Sequence, residues 1–198
     1  MKVIHHRKNS IELLQTTDQH YGVEVDIRSN GNELIIHHDP FSDGENFEEW
    51  ITHYNHAFLI LNVKEEGLET RLAHLMIKHG IEDYFFLDQS FPFLIKTART
   101  GEKRCAVRLS EFESIETVIN MTGLVDWVWV DCFTRLPLTT LQAKKLKELN
   151  FKLCFVSPEL QGISDKDQIR AYVHLVKSMA SDLDAVCTKW PELWEQKV

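Results

Sequence analysis

The 198-residue sequence is short of glycine (8), proline (5) and cysteine (4). Scarce glycine and proline exclude a collagen-like or low-complexity chain. Cys105, Cys132, Cys154 and Cys187 each sit singly in a short apolar run, without C-x-x-C spacing. That excludes the common zinc and thiol-exchange patterns and leaves buried thiols of a reducing compartment. No run of about 18 apolar residues occurs, so no transmembrane helix is expected. The opening "MKVIHHRKNS" lacks an apolar stretch of signal-peptide length, and a cytoplasmic address is the expectation. A basic excess is missing too: 22 Lys and Arg stand against 30 Asp and Glu, a net charge of −8. Nucleic acid is therefore not an expected partner, because a phosphate backbone needs a basic face. The sequence carries no signal of oligomeric state.

What is present suits one ordinary globular domain spanning residues 1–198, with 43% hydrophobic and 26% charged residues. Apolar, β-branched or aromatic runs predict strands at Val3–His6, Gly22–Ile27, Phe58–Val63, Tyr84–Leu87, Arg104–Leu109, Trp127–Asp131, Phe151–Val156 and Ala185–Thr188. Helical spacing falls between most of them. Phe47, Trp50, Ile51 and Tyr54 share one face, as do Leu72, Leu75 and Met76 before a stop at Gly80. Leu138, Leu141, Leu146 and Leu149 form a third stripe, ending at Asn150. Ile169, Val173, Val176 and Ala180 form a fourth, behind Ser164 as the predicted N-cap. Strands alternating with helices indicate βαβ units and a parallel sheet. Eight such pairs predict an α/β fold, a compact (β/α)8 TIM barrel, with a doubly wound open sheet as the structural rival.

In either architecture the site lies at the carboxyl ends of the strands. Those ends carry His5-His6-Arg7, Glu24 to Arg28, Asn62-Val63-Lys64, Asp88, Arg108, Asp131, Ser157-Pro158-Glu159 and Thr188-Lys189-Trp190. Glu24 and Asp26 stand two apart on one strand and so point to one face. Two carboxylates on one face repel unless a cation lies between them, and oxygen ligands favour magnesium or calcium over zinc. The chain then turns at Ser29-Asn30-Gly31-Asn32, returns through Leu34-Ile35-Ile36 and ends on His37-His38-Asp39-Pro40. Histidine gives and takes protons near neutral pH, as a general acid and base must. Arg7 offers a fixed planar cation suited to phosphate. The other six histidines fall in predicted helices or their termini and receive no role. Trp127, Trp129 and Trp190 read as core rather than pocket wall.

This ordered set resembles the glycerophosphodiester phosphodiesterase family, within the phosphatidylinositol-phospholipase-C-like barrels. The resemblance rests on "IHHRK" followed by "GVEVDIRSNGNELIIHHDP", with "LNVKEE" and "LDAVCTKWPELW" similar to two later elements. It implies His6 and His38 as catalytic histidines, Arg7 and Lys64 as phosphate contacts, and Glu24 and Asp26 as metal ligands. Asn62 takes the third ligand's place, normally a glutamate, and supplies an oxygen without the charge. Arg108 and Lys189, cations at two further strand ends, complete the expected substrate contacts. The implied activity is metal-assisted hydrolysis of a small phosphodiester to an alcohol and a phosphomonoester, with Mg2+ or Ca2+ as the divalent cation. Lys8 replaces the family's glycine after His-Arg, and the Glu-Asn-Thr segment that usually follows is missing. Those departures, with Asn62, keep open an alternative: a relative that binds a phosphorylated ligand without turnover. A barrel enzyme using Lys64 or Lys189 as a Schiff base is the third reading.

Overall fold

A computed structural model describes residues 1–179 and 183–195. Its strands are β1 (Lys2–His5), β2 (Gly22–Asn30), β3 (Glu33–Ile36), β4 (Glu45–Asn46), β5 (Phe58–Val63), β6 (Tyr84–Leu87), β7 (Ala106–Leu109), β8 (Trp127–Val130), β9 (Lys152–Val156) and β10 (Ala185–Thr188). Between them run α1 (Ile11–Gln15), α2 (Phe47–Trp50), α3 (Glu69–Lys78), α4 (Phe91–Arg99), α5 (Ile115–Asn120), α6 (Thr140–Glu148), α7 (Lys166–Lys177) and α8 (Pro191–Glu195). The mixed α/β class expected from the alternating patterns is present. The chain divides into two compact units, one of residues 6–102 and one of residues 1–5 with 103 onwards.

In the 6–102 unit the strand order is β4-β3-β2-β5-β6. Strands β2, β5 and β6 are parallel, while β3 and β4 are antiparallel additions. Every residue of β5 and β6 is buried, as are Gly22–Ile27 of β2. Such near-continuous burial is what a parallel sheet covered on both faces demands. The β2–β3 hairpin turns at Gly31, where φ is 59°. Gly44 is required for a different reason: a Cβ there would stand 2.2 Å from the Ile36 carbonyl oxygen. Helix α3 buries Leu72, Leu75 and Met76, and α4 buries Leu94 and Ala98.

The other unit is a parallel sheet in the order β1-β10-β9-β8-β7. Its core takes Ile4, Val107, Val128, Phe155 and Val186 from the strands, with Val118, Leu146, Val173 and Trp194 from the helices. Trp127 and Trp129 are buried in β8, as expected for core residues. All four cysteines are buried and none forms a disulfide. Among the described residues β4 pairs only with β3, β6 only with β5, and β7 only with β8. No helix among them is long and apolar enough to cross a membrane.

Several boundaries differ from the sequence reading. The stripe through Tyr54 predicts one helix, yet α2 is a single turn followed by a 3-10 turn at Ile51–His53. Tyr54 itself is extended, at ψ 125°, so it leaves the helical face. The N-cap of α7 is Asp165, not Ser164; its carboxylate accepts from the Asp167 and Gln168 N–H groups. Both are good capping residues, and the one whose side chain reaches the free N–H groups of the first turn takes the role. Ala180, placed on that helix from sequence, lies outside the described residues. The first strand ends at His5, so His6 opens the loop instead of closing the strand.

Candidate active site

The site grows from the register of two buried strands. β2 and β5 pair in parallel with Asp26 opposite Asn62 and Glu24 opposite Ile60. Glu24 and Asp26 therefore share a face, and Asn62 stands beside Asp26 at the next strand's end. Glu24 and Asp26 are wholly buried and Asn62 is 5% exposed. Polar groups so deep must be hydrogen-bonded or paired.

The partners come largely from the loop after β1. Arg7 has a left-handed backbone, φ 53°, which turns its N–H onto Glu24 Oε2 at 2.7 Å. His6 Nε2 lies 3.8 Å from that same oxygen. Glu24 Oε1 accepts from Asn62 Nδ2 at 2.8 Å, and the Glu24 carbonyl accepts from Lys8 N–H at 2.8 Å. The Lys8 carbonyl is held in turn by Trp50 Nε1 at 3.1 Å. Asp26 Oδ2 accepts from Asn9 Nδ2 at 2.8 Å and has Arg7 Nε at 3.5 Å. Its Oδ1 faces Lys64 Nζ at 3.4 Å, and Lys64 also reaches Asp88 Oδ2 at 3.0 Å. Asp88, at the end of β6, is another left-handed residue, φ 61°.

The electrostatics follow from burial. Loss of solvent first, and the adjacent Asp26 charge second, push the Glu24 carboxyl up to about 8. Hydrogen bonds from Asn62 and the Arg7 N–H, with the charge on Lys64, pull the other way. Glu24 and Asp26 are thus a carboxylate pair that the surrounding cations only partly neutralise. Two acceptor atoms, Asp26 Oδ1 and Asn62 Oδ1, are buried with no hydrogen-bond donor.

His38 follows β3 in the same unit. Its Nδ1 is 2.8 Å from Asp39 Oδ1, and the side chain is 40% exposed. Arg28 anchors this segment, with Nε and one terminal nitrogen donating to the His38 carbonyl at 3.1 and 2.8 Å. The other terminal nitrogen donates to the Lys64 carbonyl at 3.1 Å, so one guanidinium ties the His38 loop to the end of β5. The imidazole hydrogen bond, then the charges of His38, His37 and Arg7, hold the Asp39 carboxyl below its ordinary value. His37 turns instead onto the backbone of Asp39. An open cleft of about 300 Å3 adjoins Lys64 and Asp88, lined also by Glu65, Glu66, Gln89 and Ser90.

Of the residues expected from sequence, His6, Arg7, Glu24, Asp26, Asn62 and Lys64 meet within contact distance, and His38 is on the neighbouring loop of the same unit. Arg108 and Lys189 belong to the other unit. Arg108 is engaged there by Asp131 and, at 3.8 Å, by Glu113. The Lys189 N–H donates to Glu159 Oε1 at 2.9 Å, beside Thr188 Oγ1 on the same oxygen at 2.5 Å. Glu159 is itself buried. Sequence reasoning missed Asn9, which carries no motif of its own.

No protein-family model and no curated protein sequence matches this chain. Solved structures do. A protein of Galdieria sulphuraria assigned as a glycerophosphodiester phosphodiesterase superposes with a TM-score of 0.72 at 16% identity, over 98% of this chain and 95% of that one. The glycerophosphodiester phosphodiesterase of Agrobacterium tumefaciens also gives 0.72, at 14% identity and 98% of both chains. A glycerophosphoryl diester phosphodiesterase of Parabacteroides distasonis gives 0.65 at 13% identity, over 98% and 84%. The chain therefore has the fold of the solved glycerophosphodiester phosphodiesterases.

Proposed function

We propose that this chain is a phosphoric diester hydrolase of the glycerophosphodiester phosphodiesterase kind, acting on a small phosphodiester. The observation that carries this reading is the buried Glu24–Asp26 pair, ringed by His6, Arg7, Asn62 and Lys64 at the strand ends of a phosphodiesterase fold. The finer architecture that goes with it is a (β/α)8 barrel in one domain. A cytoplasmic address goes with the four buried cysteines outside any disulfide.

The donor set fits a hard divalent cation, Mg2+ or Ca2+. Glu24, Asp26 and the Asn62 carbonyl supply oxygen only, and two of their oxygens lack a hydrogen-bond donor. Among the described residues no three His, Cys, Asp or Glu side chains group for a metal, so the Asn62 amide would be the third protein ligand. When bound, such a cation polarises a phosphoryl oxygen and favours attack by a hydroxyl. Arg7 and Lys64 orient the phosphate and offset its charge. His6, against Glu24, and His38, against Asp39, hold the two protons the reaction must move: one histidine takes the attacking hydroxyl's proton, the other gives one to the leaving alcohol.

The test is release of an alcohol from a glycerophosphodiester in the presence of Mg2+ or Ca2+. Turnover should fall about 10²–10⁴-fold in His6→Ala and in His38→Ala. Turnover that survives both substitutions refutes the assignment. Binding of the phosphodiester without any hydrolysis by the wild type establishes the ligand-binding alternative instead.

A further inference from the structure

Asn9 lies in the loop between β1 and α1, one residue before the Ser10 that caps α1. A polar residue there needs no explanation beyond solvation, but both polar atoms of its side chain bond one partner 17 residues away. Asn9 Nδ2 donates to Asp26 Oδ2 at 2.8 Å, and Asn9 Oδ1 accepts from the Asp26 N–H at 3.0 Å. The amide thus grips both the backbone and the side chain of the same buried residue.

This double contact decides which face Asp26 shows. A carboxylate terminal torsion is broad and roughly two-fold, so an ungripped aspartate can exchange its oxygens. Here Oδ2 is taken by Asn9 and flanked by Arg7 Nε, leaving Oδ1 turned toward Lys64 and without a hydrogen-bond donor. Residues 7, 8 and 9 contact the pair in succession: Arg7 N–H on the Glu24 side chain, Lys8 N–H on its carbonyl, Asn9 on Asp26. We infer that Asn9 is a positioning residue, which locks the Asp26 carboxylate so that Oδ1 is presented to the cation that the phosphate shares. The inference rests on the phosphodiesterase reading and adds to it a residue that reading does not use.

The substitutions are Asn9→Ala, which removes the grip, and Asn9→Asp, which keeps the shape but has no N–H to give. Groups that orient a ligating carboxylate matter about 10–100-fold when removed. Both variants should lose about that factor in kcat, and Asn9→Ala, which adds no charge, should lose it also in Mg2+ affinity measured by calorimetry without substrate. KM should change about twofold or less, because Arg7 and Lys64 still hold the phosphate. A purely structural role would lower melting temperature and leave kcat and Mg2+ affinity intact in the folded fraction. A crystal structure of Asn9→Ala gives a readout independent of turnover: the Asp26 carboxylate should be rotated or split between two orientations. An unrotated Asp26, wild-type kcat in both variants, or wild-type Mg2+ affinity in Asn9→Ala overturns the positioning role. If the wild type turns over no phosphodiester, the functional reading falls, and the rotation of Asp26 alone then decides whether Asn9 positions it.

Discussion

Replacing Asn62 by aspartate keeps the side chain's shape and turns the amide that faces Glu24 into a carboxylate. The amide donates to Glu24 Oε1 at 2.8 Å from a site 5% exposed. A hydrogen bond to a charged acceptor is worth about 1.5–3 kcal/mol. The substitution removes it and sets a third carboxylate some 4 Å from Glu24, a repulsion of up to about 4 kcal/mol at an effective dielectric of about 20. Side-chain relaxation reduces the sum, and about 3–5 kcal/mol is the expected loss when all three groups are ionised. That state is reached above the Glu24 value of about 8. At lower pH the Glu24 proton can be shared with the new carboxylate, as in paired aspartates, and the penalty should shrink by half or more. For a chain of this size each kcal/mol shifts the melting temperature by about 2–4 °C. In chelator, Asn62→Asp should melt about 6–20 °C below wild type at pH 9, and much closer to it at pH 6. Added Mg2+ should raise the variant's melting temperature more than that of wild type, because the extra negative charge rewards a cation. Equal melting of the two proteins at pH 9 in chelator would refute the reasoning, since Asn62 would then not be restraining Glu24.

Two further outcomes follow from specific contacts. Lys64, 15% exposed, bridges Asp26 and Asp88 at 3.4 and 3.0 Å. Lys64→Met removes one of the two cations, Lys64 and Arg7, that face buried Asp26 and should cost up to about 3 kcal/mol in urea unfolding, with kcat/KM down at least about 100-fold; a variant with wild-type stability would show that Asp26 needs no cation at residue 64. Glu111 accepts from the Thr134 and Arg135 N–H groups at 2.7 Å and from Phe133 N–H at 3.2 Å. Burial would raise its carboxyl, but these N–H groups outweigh it and hold the group down to about 2, against an ordinary 4.5. A depressed acid stabilises the fold above its unfolded value and loses that contribution as pH falls through the folded one. The stability gap between wild type and Glu111→Gln should therefore be constant above about pH 5 and close between about 4.5 and 2; a gap that widens on acidification contradicts the assignment.

What the sequence makes legible follows from the range of the interactions involved. β2 and β5 are recognisable because burial on both faces selects mostly apolar residues, and the polar ones among them, Glu24, Asp26 and Asn62, stand out for that reason. Alternation on a strand then places both carboxylates on one face without knowledge of any partner. Helix α4 is harder to see, since Pro92 reads as a breaker although it occupies the first turn, where proline is tolerated. The N-cap of α7 is ambiguous because Ser164 and Asp165 have equal chemistry, and only the backbone decides which reaches the free N–H groups. Asn9 is invisible, because its significance lies wholly in an aspartate 17 residues along the chain. Charges at strand ends are easy to enumerate, but whether one is already engaged, as Arg108 is by Asp131, depends on register between strands.

The left-handed backbone at Arg7 sets backbone strain against side-chain charge at a single position. At φ 53° a side chain other than glycine's carries a strain of about 1–2 kcal/mol, yet this turn is what brings the N–H onto Glu24. Glycine would adopt the turn freely and keep that N–H, while discarding the guanidinium beside Asp26. Heat resistance at residue 7 therefore weighs relief of that strain against loss of a cation beside buried Asp26, whereas turnover selects for arginine alone. Comparing the survivors of the two selections at this one codon would weigh the strain directly against the chemistry it supports.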